Sequence, residues 1–112
     1  MATAFVTGGE WRYDDGKRIW VADFDPDAIR DIPVSWVDFF ADLGSPYLSH
    51  TVIYDAPLVL LGSTATTDGL IKLRMATDGT GTLKSIYPFT VRGVAADGQR
   101  DDQTLWLRLV AR

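Results

Sequence analysis

The chain has 112 residues and a net charge of −4 at neutral pH, and 46% of its residues are hydrophobic against 23% charged. This size allows one compact domain, and the balance excludes an intrinsically disordered or collagen-like chain. The acidic excess argues against nucleic acid or an anionic membrane as a partner, because both are bound through clustered Lys and Arg.

The chain contains no cysteine, so it forms no disulfide, thiol site or Cys-ligated zinc site. The longest apolar run, residues 58–61, is too short to cross a bilayer, and the start MATAFVTGGEWR lacks the basic and apolar regions of a signal peptide. We therefore expect a soluble product that is not exported, with no cofactor.

The acidic residues predict strands rather than helices. Only Glu10 is Glu and the other acidic residues are Asp, which competes with helical backbone hydrogen bonds. Four Asp-Gly pairs supply the positive φ angles of tight turns between strands, at residues 15–16, 68–69, 78–79 and 97–98. Turn signals at this regularity predict an all-β sandwich or barrel.

The first half of the chain begins with a predicted hairpin. Residues 10–13 and 18–24 flank a turn at residues 14–17, so residues 1–24 are expected to be an N-terminal hairpin or a mobile arm containing one. The alternation of Ile32, Val34 and Trp36 predicts a strand with Trp36 in the core. The apolar spacing that follows fits one helical turn over residues 37–43.

The second half reads as a series of strands. They are expected at residues 48–54, 57–61, 70–75, 83–94 and in a last run before the C-terminus, with residues 62–69 as a loop. Pro88 indicates that part of the run at 83–94 is an edge or a bulge, because proline cannot donate to a ladder. Three sets of alternating residues are expected to face inward: Ile71, Leu73 and Met75; Tyr87, Phe89 and Val91; and Leu105, Leu107 and Leu109. About seven strands plus the N-terminal extra predict two packed antiparallel sheets, with residues 25–112 as the sandwich.

From Phe24 to its end the chain resembles a small immunoglobulin-like domain of tailed-bacteriophage virion proteins. The resemblance lies in the order of its features: Asp-Pro-Asp at 25–27, Ile-Pro-Val-Ser-Trp-Val-Asp-Phe-Phe at 32–40, Ser-His-Thr-Val at 49–52, a Thr-rich loop at 64–67, Gly-Thr-Gly-Thr at 79–82, Tyr87 and Val91, Ala-Asp-Gly-Gln-Arg at 96–100 and Thr-Leu-Trp-Leu-Arg-Leu at 104–109. It implies an immunoglobulin-like sandwich and a non-enzymatic virion component, a capsid decoration, neck or tail protein. The resemblance also implies other virion proteins as partners, a homo-oligomer within the particle, and location in the virion after synthesis in the bacterial cytoplasm.

Two clusters suggest chemistry, but each has a simpler explanation. Ser45, Ser49 and Asp55 lie near His50 in sequence, yet a strand at 48–54 puts Ser49 and His50 on opposite faces. Asp23, Asp25, Asp27 and Asp31 form an acidic cluster whose spacing could suit Ca²⁺. The glycine and the final carboxylate that an EF-hand loop needs are absent from it. We expect structural residues in both. Tyr87 is either a buried ring or a tyrosine corner that bonds backbone with its hydroxyl.

The candidate partner interface consists of four aromatic residues that are expected to be exposed and one arginine. They are Trp11, Tyr13, Trp20, Trp106 and Arg108. The N-terminal segment could cover Trp106 within one subunit, or these indoles could contact another subunit. The alternative function is a tail- or fibre-associated module that binds glycans or a host surface, with Trp106 stacking on sugar.

Overall fold

The structure is a computed structural model that describes residues 5–6, 10–14 and 16–111, with side chains at residue 16 and at residues 19–111. Within these residues the chain forms nine strands and one short helix, α1 (Val37–Leu43). The strands are β1 (Phe5–Val6), β2 (Glu10–Asp14), β3 (Lys17–Phe24), β4 (Arg30–Ser35), β5 (Tyr47–Tyr54), β6 (Leu58–Ala65), β7 (Leu70–Thr77), β8 (Ile86–Ala95) and β9 (Arg100–Leu109).

The strands build two sheets that pack as an all-β sandwich, which confirms the predicted fold class. One sheet has the order β1-β4-β7-β6 and the other β2-β3-β9-β8-β5. Paired strands are antiparallel except β3 and β9, which run parallel. This connectivity is consistent with an immunoglobulin-like sandwich, in which strands A, B, E, D face strands C, F, G.

The core follows the alternation along β7, β8 and β9. Because successive strand residues point to opposite faces, every second side chain lies between the sheets. The residues buried there include Ile71, Leu73, Met75, Phe89, Val91, Leu105, Leu107 and Leu109. The inward faces of these strands are therefore as predicted, with Tyr87 packed at the core's margin.

An aromatic cluster closes one end of the sandwich. Trp36 is buried, as predicted, and its ring meets Phe39 edge-on at 4.9 Å. The predicted helical turn after Trp36 is present as α1 and ends at Gly44, whose φ of 68° provides a left-handed cap. A Cβ at Gly69 would overlap the ring of Phe40, so the turn after β6 needs glycine in order to pack on the helix. Within the described residues, no helix has the length and apolar character needed to span a bilayer.

The N-terminal hairpin is built into the sandwich. β2 pairs with one edge of β3, and β9 pairs with the other edge of β3. Phe24 and Ala22 on β3 belong to the main core. Of the two alternatives for residues 1–24, β2 and β3 form the hairpin, and β3 ends at Phe24.

One of two local predictions was wrong. Residues 62–65 continue β6 instead of forming a loop, because a bulge at Leu61 shifts the register and lets the ladder with β7 resume at Gly62. Pro88 lies in β8, and the prediction that it makes part of this run an edge is confirmed, because β8 is an interior strand only from Phe89 onward. The proline is accommodated because β5 pairs only as far as Phe89, which leaves one side of β8 without a ladder partner at Pro88.

Candidate functional site

The two edge strands β5 and β6 form one lateral side of the sandwich, which we name the open side. β5 reads YLSHTVIY and β6 reads LVLLGSTA, so neither contains Lys, Arg, Asp, Glu or Pro. Six large hydrophobic side chains are exposed among the described residues, and four of them lie on these strands: Leu48, Ile53, Tyr54 and Leu61. Exposed apolar groups gathered along an unprotected sheet edge are typical of an interaction surface.

A polar clasp links the two strands of the open side. The Tyr47 hydroxyl lies 2.6 Å from Nδ1 of His50, and Nε2 of His50 lies 2.9 Å from Oγ of Ser63. His50 projects toward β6 because it shares the inward face of β5 with Val52. Burial lowers the pKa of His50 and raises the pKa of Tyr47, since each loses water around its charged form.

The order Ser63–His50–Tyr47 resembles a catalytic triad, but the clasp has no carboxylate next to the histidine. In such a triad a buried carboxylate orients the histidine and stabilises the imidazolium that forms. Here the third group is the neutral phenol of Tyr47, and burial lowers the pKa of His50, so His50 is a weaker base than a free histidine. The arrangement favours a structural bridge over activation of Ser63.

The sequence neighbours of His50 do not assemble around it. Ser45 is buried elsewhere, and its Oγ accepts a hydrogen bond of 3.1 Å from the backbone N–H of Asp97. Ser49 lies on the outward face of β5, and Asp55 follows the strand. The partners that His50 does have, Tyr47 and Ser63, were not identified from the sequence.

The predicted interface residues separate into three groups. Trp20 is partly buried and packs against the main core, on the inward face of β3 with Ala22 and Phe24; its role in a partner interface stays a prediction. Trp106 and Arg108 lie on the outer face of β9 and are partly exposed. The side chains of Trp11 and Tyr13 lie outside the described residues, so their predicted role stays a prediction.

Trp106 lies in the middle of an outer sheet face. The strand registers place it between Val21 on β3 and Pro88 on β8. Val21 is 2% exposed although it does not belong to the main core cluster, so this face carries apolar packing of its own. An indole that is partly exposed beside such packing is suited to contacts with protein or sugar.

The acidic cluster is held by local bonds. Oδ1 of Asp25 accepts a 2.9 Å hydrogen bond from the backbone N–H of Asp27. The carboxylate of Asp31 accepts two bonds from Arg74, at 2.9 and 3.3 Å, and these bonds lower the pKa of Asp31. In the part of the chain that the structure describes, no three His, Asp or Glu side chains are grouped as a metal would require.

Tyr87 forms the tyrosine corner that was one of its two predicted roles. Its hydroxyl accepts a hydrogen bond of 2.8 Å from the backbone N–H of Thr82, which lies five residues upstream in the connection before β8. That bond lowers the pKa of Tyr87, because it stabilises the phenolate oxygen. The bond fixes the connection between β7 in one sheet and β8 in the other.

Two shallow clefts lie on the described surface. One of about 330 Å³ lies beside the open side, where Leu61 and Ser63 meet Lys72 and Arg74. The other, of about 450 Å³, lies at the end of the sandwich between α1, Pro46 and Thr67. The first cleft includes Ser63, whose hydroxyl is hydrogen-bonded to His50, and Asp31, whose carboxylate is bound by Arg74.

Comparison of the chain with protein-family models, with curated proteins and with solved structures found no match. The surfaces described above are therefore the basis for assigning a function.

Proposed function

We propose that this protein is a non-enzymatic structural subunit of a bacteriophage virion, a capsid decoration or neck component that binds neighbouring virion proteins through its open side. The observation that carries this proposal is the gathering of exposed apolar side chains on two uncharged edge strands. The virion setting follows from the sequence resemblance. The all-β sandwich supports the proposal because such folds are rigid scaffolds that present binding surfaces.

The mechanism of such a subunit is burial and repetition. Covering Leu48, Ile53 and Leu61 removes apolar area from water, at roughly 25 cal/mol for each Å². Many copies on one particle then reinforce the shell through avidity. No covalent step is needed, and the one imidazole of the chain bridges two hydroxyl groups.

The test is incorporation of variants into particles of the phage that encodes the chain. Ile53→Lys places a charge on β5, and Ile29→Lys makes the same change at an exposed isoleucine outside the open side. We expect at least about tenfold fewer Ile53→Lys copies per particle by quantitative mass spectrometry, since ~1.4 kcal/mol of binding energy is a factor of ten. Ile29→Lys should incorporate as the wild type does.

Two results would refute the proposal: absence of the wild-type chain from purified particles, or equal occupancy of both variants. Point substitutions serve better here than removal of the N-terminal segment. A truncation to residue 20 would cut through β3, whose Phe24 is in the core. Loss of incorporation would then report unfolding rather than a lost contact.

The alternative function, binding of glycans or a host surface, rests on Trp106. Its indole is partly exposed on the outer face of β9 with Arg108 on the same face, and aromatic rings of this kind stack on sugars. A glycan array tests it: binding that disappears in Trp106→Ala but persists in Ile53→Lys would favour this function over the open side.

A further inference from the structure

β5 offers a regular ladder on its free edge. In the described part of the chain it pairs with β8 on one side only, as the last strand of its sheet. Its register shifts between Tyr47 and Ser49 and is then regular to Tyr54. β6 is interrupted at Leu61, where a bulge breaks the ladder. Backbone groups on the free edge of β5 are therefore the better template for an added strand.

The chemistry of β5 suits a second copy of itself. The chain carries a net charge of −4, so two copies repel each other when acidic surfaces meet. β5 contains no charged residue, and the nearest in sequence, Asp55, follows its last residue. Two copies joined along β5 therefore bring together backbone and uncharged side chains.

The geometry points to an antiparallel pairing of β5 with β5 of a second copy, across a two-fold axis at Thr51. This inference rests on the proposed function of the open side and names its occupant. In this register Thr51 faces Thr51, and Ser49 of one copy faces Ile53 of the other. The result is a continuous sheet through both copies, the isologous arrangement that is commonest in homo-oligomers.

The axis is placed at Thr51 because this residue lies near the middle of the regular run from Ser49 to Tyr54. Directly opposite residues of an antiparallel pair lie on the same face, so the axis must pass through a residue and not between two. With Thr51 on the axis, the outward residues of one copy meet outward residues of the other, and His50 meets Val52 on the inward face. The two Asp55 carboxylates then lie at opposite ends of the joined strands.

Sedimentation equilibrium of the wild-type chain is the first measurement. At concentrations up to about 1 mM we expect a monomer–dimer equilibrium, a range in which even weak association is detected. Ile53→Lys should be monomeric throughout, and Ile29→Lys should dimerise as the wild type does. A wild-type chain that stays monomeric over the whole range would overturn the inference.

The absence of cysteine from the chain allows a test of the register. Opposite residues of an antiparallel pair have Cα atoms about 4.5–5.5 Å apart, which is within the span of a disulfide. Under mild oxidation Thr51→Cys should form a linked dimer at least about tenfold faster than Ile29→Cys, which can react only by collision. Equal rates for the two variants would exclude the two-fold at Thr51.

These results separate the inference from the function on which it rests. If the wild type is monomeric and Ile53→Lys is still lost from particles, self-pairing is wrong and the open side binds a different virion protein. If the chain dimerises through Thr51 but is absent from particles, the pairing stands and the virion role is wrong.

Discussion

The two lateral sides of the sandwich carry different protection against strand addition. On the side formed by β2 and β4, the sequence places charged residues and a proline along the strands: Glu10, Arg12, Asp14, Arg30, Asp31 and Pro33. β1 also covers one end of β4. On the open side, β5 and β6 contain none of these residues. Charge and proline on edge strands are the usual means of preventing unwanted pairing.

The absence of charged residues and proline is therefore specific to β5 and β6 and is not shared by β2 and β4. The same sequence that protects one side leaves two eight-residue strands free of charge on the other. A single His50–Ser63 hydrogen bond joins the side chains of these strands across the open side, among the bonds found in the described residues. The contrast argues that the open side is kept available for a partner.

The largest expected effect tests whether the protected side is part of the core. Phe24→Ala should lower the free energy of unfolding by about 3–5 kcal/mol. The ring of Phe24 is only 1% exposed, so its removal leaves a cavity in the core. Chemical denaturation measures the change. Tyr54→Ala on the open side, at 40% exposure, is the control and should lose much less. A small effect of Phe24→Ala would mean that β3 behaves as a detachable arm.

The second effect concerns the clasp. His50→Ala removes both hydrogen bonds of the imidazole and should lower the free energy of unfolding by about 1–2 kcal/mol. Thr51→Ala, at the next and outward-facing position, should change it by less than about 0.5 kcal/mol. Equal losses in the two variants would show that the clasp adds no stability to the open side.

The fold was largely predictable from the sequence because alternation decides which face of a strand is buried. Ile71, Leu73 and Met75 alternate with the exposed Lys72 and Arg74. This alternation is typical of a strand with one face in the core and the other in solvent. The end of β6 was missed because a bulge at Leu61 resets the register, and a Ser/Thr-rich run beyond it reads as a loop.

The site was less predictable because it depends on contacts between distant segments. His50 and Ser63 meet only when β5 and β6 become the edges of facing sheets, and the residues around Ser63 had been assigned to a loop. The sequence also does not show which face of β3 carries Trp20, because a tryptophan beside a turn resembles an exposed anchor. The parallel pairing of β3 with β9, which turns Trp20 inward, has no local signal.

A smaller effect distinguishes the two sides by pH. Burial lowers the pKa of His50 below its ordinary 6.5, so the unfolded chain binds a proton more readily than the folded one. The free energy of unfolding should therefore fall as the pH drops below 6.5, and this contribution should level off below the pKa of folded His50. Asp31, near the protected side, has a pKa lowered from 3.8 by Arg74, so its stabilisation is lost only at more acidic pH.

Thermal melting of the wild type and His50→Gln between pH 7.5 and 5 isolates the histidine contribution. The glutamine variant retains a hydrogen-bonding group without a titration in this range, so its curve should be flatter. Parallel curves would remove His50 as the source, and a wild type that becomes more stable toward pH 5 would contradict the sign.

The smallest expected change in stability is at the centre of the proposed interface. Ile53→Lys should alter the free energy of unfolding by less than about 0.5 kcal/mol, because the side chain is 51% exposed and points away from the core. The same substitution is expected to abolish self-association and incorporation into particles. A surface used for binding is distinguished from one used for folding by this separation of effects. If Ile53→Lys destabilised the monomer as strongly as His50→Ala, the apolar residues of β5 would belong to the fold, and their exposure would not indicate a partner.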